Sequence, residues 1–136
     1  MQSHRLKPIL NTSLPSQFRQ IRLVLAREPG HPEGDAAVAY VIVAPLDARD
    51  RIDAGLWRAH RDACRVARLR PNEDDMLGHL IQRREGGWAF HYNSDDALPD
   101  EVGIHLADER LVPGEYIAIQ EGDKTHTYRV SAVSHL

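Results

Sequence analysis

His91, Asp95, Asp96, Asp100, Glu101 and His105 bring two imidazoles and four carboxylates into a stretch of fifteen residues. Imidazole nitrogens and carboxylate oxygens are the ligand set of zinc, manganese and non-haem iron. Adjacent carboxylates such as Asp95 and Asp96 also raise one another's pKa when desolvated, as general acid chemistry requires. The spacing follows neither His-x-His nor His-Glu-x-x-His, and Asn93-Ser94-Asp95-Asp96 departs from a calcium loop. A solvated acidic loop beside surface histidines accounts for the same residues and is the default. The metal site is therefore the alternative expectation.

A second set is cationic. Residues 51–70 hold six arginines against Asp53 and Asp62, a net +4, whereas residues 85–123 hold ten acids against Arg110, a net −9. Such blocks either neutralise each other in the fold or present a polar surface to a partner. Arg58, Arg61 and Arg65 share a helical stripe if the helix extends that far, whereas strand alternation would line up Arg68 and Arg70 instead; such a group suits an anion or a carboxylate-bearing partner. The overall charge of −3 and only eight aromatic residues argue against nucleic acid, which needs surplus cations and exposed stacking rings.

Other chemistries lack their signatures. No serine lies in a Gly-x-Ser-x-Gly elbow, and no glycine-rich loop offers a phosphate cradle. Cys64 is the only cysteine, which excludes an internal disulfide, and its apolar neighbours suggest a buried thiol. Trp57 and Trp88 are expected in packing, and His126 as a satisfied sheet histidine beside Ile119. No cofactor is indicated.

The elements that would position these residues are mostly strands. Residues 18–26 alternate apolar and polar, the signature of a half-buried strand. Pro29, Gly30, Pro32 and Gly34 then make a loop, and residues 36–44 form a continuous apolar run expected at the centre of a sheet. Asp53 can cap a short helix over 54–62, followed by a strand to Arg70, although an all-strand reading also fits.

Glu85-Gly86-Gly87 marks a hairpin between 77–84 and 88–92. A two-residue turn there pairs odd positions with even ones. Trp88, Phe90 and Tyr92 then share the core face with His79, Ile81 and Arg83, and His91 faces the other way with Leu80 and Gln82. Residues 102–106 suit a short strand. A last hairpin, 115–120 with 125–133, pairs Ile117 with Tyr128, Ile119 with His126 and Tyr116 with Arg129.

The pattern predicts a mainly β protein: a small antiparallel β-barrel or β-roll of about seven strands with at most one short helix. Residues 1–17 read as a poorly ordered polar leader, and residues 18–136 as one β-rich domain. No run of 18 apolar residues is present, so no membrane span is expected, and no secretory signal is evident, which makes the cytoplasm the default compartment. Fifteen of the seventeen Lys and Arg residues are Arg, a bias that points to a GC-rich bacterial genome. The expected function is a non-catalytic binding module with a protein partner, or self-association through strand edges. The alternative is a metal-dependent enzyme or small-ligand protein built on His91, His105 and the 95–101 loop.

Overall fold

A computed structural model describes residues 13–93 and 99–136. Eight strands follow in chain order: β1 (Phe18–Leu25), β2 (Asp35–Pro45), β3 (Arg65–Leu69), β4 (Met76–Gln82), β5 (Trp88–Tyr92), β6 (Glu101–Ile104), β7 (Tyr116–Glu121) and β8 (Lys124–His135). Each pairs antiparallel with its neighbour, and β8 returns to β1 to close a barrel. The eight strands of the barrel are one more than the sequence suggests. Closure also removes the strand edges through which self-association was expected, because every described strand has a partner on both sides.

Alternation sets what fills the barrel. Ile21, Leu23, Tyr40, Ile42, Val66, Leu80, Phe90, Ile117, Ile119, Tyr128 and Val130 are inward and buried. The ambiguous segment resolves into a six-residue helix, α1 (Ala54–Ala59), a 3-10 turn at Arg61–Ala63 and then β3. Asp53 caps α1 by accepting from the Leu56 amide at 3.0 Å. The helix closes one end of the barrel: Trp57 meets Trp88 edge to face at 5.2 Å and donates its indole N–H to the Leu80 carbonyl. Cys64 is fully buried beside this plug.

The final hairpin adopts the expected register, with Ile117 opposite Tyr128 and Tyr116 opposite Arg129. The β4–β5 hairpin does not. Gly78 pairs with Tyr92 and His79 with His91, so like parities are opposed. The cause is the turn, which closes by Arg83 N–H donating to the Gly87 carbonyl and thus encloses three residues rather than two. The aromatic residues still face the core, but their neighbours there are Gly78 and Leu80, and His91 shares the outer face with His79.

Of the leader, residues 1–12 lie outside the described residues. Leu14 packs against the core ahead of β1. No helix among the described residues is long and apolar enough to cross a membrane.

Candidate functional site

The described members of the acidic constellation, His91, Asp100, Glu101 and His105, lie apart. His91 Nδ1 lies 2.7 Å from Asp100 Oδ1, an exposed pair on the outer wall. Glu101, next in sequence, turns the other way and is 2% exposed inside the barrel. His105 follows the far end of β6 in a left-handed conformation (φ 59°). Five residues of rise, about 15 Å, separate it from the level of Asp100, so His91 and His105 do not converge. Asp95 and Asp96 lie outside the described residues. Among the described residues no three His, Cys, Asp or Glu side chains form a group able to hold a metal ion.

Glu101 belongs to a polar network that fills the end of the barrel opposite α1. Tyr40 and Tyr92 donate to Glu101 Oε1 at 2.7 and 2.6 Å. The Tyr40 hydroxyl also stands 2.9 Å from Glu121 Oε2, which accepts from Tyr128 as well. Arg70 completes the set, donating to Glu121 Oε1 and to the Tyr128 hydroxyl, each at 3.0 Å. Arg68 Nε lies 3.3 Å from Glu101 Oε2 but is poorly directed for a hydrogen bond, so this contact acts as an ion pair. Two guanidinium groups thus balance two carboxylates in a largely buried setting, where unpaired charge is costly.

The electrostatics follow from that burial. Desolvation pushes the phenols of Tyr40, Tyr92 and Tyr128 far above the ordinary tyrosine value, seconded by Glu101 at Tyr92, by Glu121 at Tyr128, and at Tyr40 by the Tyr128 phenol ahead of Glu101. For Arg70 burial opposes the charge, but Tyr128 and Glu121 outweigh it and hold the guanidinium protonated. With every member hydrogen-bonded or ion-paired to another, the cluster is a structural core in polar material. The sequence carried a partial signal for it: Arg68 and Arg70 alternate along one strand face, and an inward arginine must find a carboxylate. What the pattern lacked was barrel closure, which brings Glu101 and Glu121 to them from β6 and β7.

Arg58, Arg61 and Arg65 behave differently. None has a carboxylate within ion-pair distance among the described residues, whereas Arg68 and Arg70 of the same block are paired. Arg58 and Arg61 line a groove of about 470 Å³ with Leu14, His60 and Ala63. Arg61 and Asp62 continue into a second groove of about 280 Å³ that reaches His79 and Ile81. His79 in turn borders a third, of about 240 Å³, lined by Val41, Val43, Arg65, Ala67 and Leu77. Shared residues, Arg61 with Asp62 and then His79, make the three neighbouring depressions in a track down the barrel wall, the last bordered by Leu77, which is 61% exposed. The Arg61 guanidinium is held 4.8 Å over the Trp57 ring, a cation–π contact that fixes it at the track.

A larger groove of about 650 Å³ lies beside the β1–β2 loop. Arg27 and Arg129 face Glu33 and Asp35 there, so its charges cancel locally. No family model, curated protein or solved structure matches the chain.

Proposed function

We propose that the protein is a non-catalytic interaction module that binds an extended, acidic segment of a partner protein along the track from Arg58 to Leu77. The observation that carries this reading is the set of three exposed arginines with no carboxylate partner among the described residues, beside grooves that run toward the exposed Leu77. Carboxylates of the segment would meet Arg58, Arg61 and Arg65, and its apolar side chains would cover Val41, Ala67 and Leu77. Charge would govern approach and register, and apolar burial would supply residence time. The barrel interior supports an external site, because aromatic rings and the paired charges occupy it. A bacterial cytoplasmic setting accords with the arginine bias and the single, buried cysteine.

A fluorescein-labelled twelve-residue peptide of alternating Leu and Glu tests the reading by anisotropy at low salt. Saturable binding is expected, weakened about tenfold in the combined Arg58→Glu, Arg61→Glu, Arg65→Glu variant, as the loss of three exposed charge pairs implies. Leu77→Ser should weaken binding without changing its salt dependence. Equal binding by the parent and the triple variant, or no binding to the parent at low salt, overturns the reading.

A further inference from the structure

The three-residue β4–β5 turn has placed two histidines together that a two-residue turn would have kept on opposite faces. His79 and His91 are direct cross-strand partners on the outer wall. Directly opposed side chains on one face of an antiparallel pair have Cβ atoms about 4.5–5.5 Å apart, within bridging reach of two imidazoles.

Each ring is already oriented by an oxygen. His91 Nδ1 lies 2.7 Å from Asp100 Oδ1, and His79 Nδ1 lies 3.1 Å from Asn93 Oδ1. An ionised carboxylate or an amide carbonyl can only accept, so Nδ1 carries the hydrogen in both rings. In the neutral ring that arrangement leaves the Nε2 lone pair free, as in metal-binding histidines steadied by an outer-shell oxygen.

We propose that His79 and His91 form a two-imidazole site on the barrel wall for a borderline divalent transition cation of the Ni²⁺, Cu²⁺ or Zn²⁺ class. Two Nε2 atoms bind the ion, and water completes its shell. Asp100 and Asn93 are positioning residues that hold the tautomers. The donor set offers little to Mg²⁺ or Ca²⁺, which require oxygen. Arg65, opposite His79 on β3, is the one adverse charge in the row and weakens the site. This inference does not depend on the peptide track, and Arg65 separates the two. Arg65→Ala should tighten metal binding while loosening the peptide.

Calorimetric titration of tag-free protein with NiCl₂ and ZnCl₂, without peptide, supplies the test. The parent should bind one ion per chain. His79→Ala and His91→Ala should each weaken binding roughly tenfold or more, and Asp100→Asn about tenfold, the usual range for an outer-shell partner. His105→Ala should bind as the parent does. All four residues lie on the outside, so circular dichroism should show every variant folded. Cu²⁺ electron paramagnetic resonance should register two nitrogen ligands in the parent and one in either histidine variant. No saturable binding at millimolar metal, or an unchanged affinity in the double histidine variant, overturns the proposal.

Discussion

Tyr40 shows how narrowly the residues of the polar end are constrained. Its single hydroxyl lies within hydrogen-bond distance of carboxylates from two different strands. Tyr40→Phe keeps the ring and its 5.0 Å contacts with Phe90 and Tyr128 but strips both acids of that partner. Chemical denaturation should show a loss of about 1–3 kcal/mol, the cost of leaving buried acceptors short of a donor. Glu101→Ala should cost more, about 3–5 kcal/mol, because it leaves Arg68 with only the exposed Glu73 at 3.8 Å and takes the acceptor from Tyr40 and Tyr92. Alkali should act through the same groups. Folding holds three phenols neutral, whereas unfolded tyrosines ionise near pH 10, so the unfolded state releases protons that the folded state retains. Their contribution is therefore complete below about pH 10 and declines above it, by about 1.4 kcal/mol per pH unit for each ring. Phenolate absorbance at 295 nm from these rings should rise together with unfolding, and an earlier rise would contradict their placement. Burial likewise pushes the Cys64 thiol up to about 12, so a disulfide reagent at neutral pH should find it unreactive until the barrel opens.

Among the elements, what could be read in advance followed turn chemistry. Glu121 to Lys124 fixed the last hairpin, and its pairs from Tyr116–Arg129 to Ile119–His126 were legible because strand patterns and turn agreed. Gly86 and Gly87 announced the other hairpin but not its loop length. Both have positive φ (92° and 84°), and the enclosed third residue reverses which side chains oppose each other. The described members of the metal-like constellation separate for a related reason. A strand sends Asp100 and Glu101 to opposite faces, so adjacent acids cannot serve one site. Gly78 exposes a constraint that no pattern revealed: a Cβ there would sit 2.1 Å from the His91 carbonyl oxygen. Gly78→Ala should push β4 and β5 apart, costing about 3 kcal/mol, and hydrogen exchange should localise the opening to that hairpin. It should also weaken metal binding by His79 and His91, although neither histidine is altered.

Across the whole molecule, the charge asymmetry of the sequence divides into two parts. Arg68 and Arg70 meet Glu101 and Glu121 inside, as internal balancing requires, and contribute nothing to external steering. Arg58, Arg61 and Arg65 stay outside and, with Arg51 at the Asp108 carbonyl, carry whatever attraction the basic block exerts. Salt should therefore weaken the acidic peptide while leaving resistance to denaturant nearly unchanged, since exposed charges are screened and buried ones are not. Barrel closure was the least legible feature, because alternation identifies strands without saying whether the last one meets the first.

That closing seam also makes the chain's order negotiable. Arg19 lies beside His135 across β1 and β8, so two positions far apart in sequence are one interstrand spacing apart, about 5 Å. A short glycine–serine linker between Phe18 and His135, with new ends cut between Arg84 and Gly87, should yield a circular permutant with the same eight staves. Such a permutant would put the break beside the α1 plug and leave the tyrosine end intact. If it melts cooperatively and the Trp57–Trp88 fluorescence matches that of the parent, the barrel is held by its hoop of strands, whatever the order in which they are threaded.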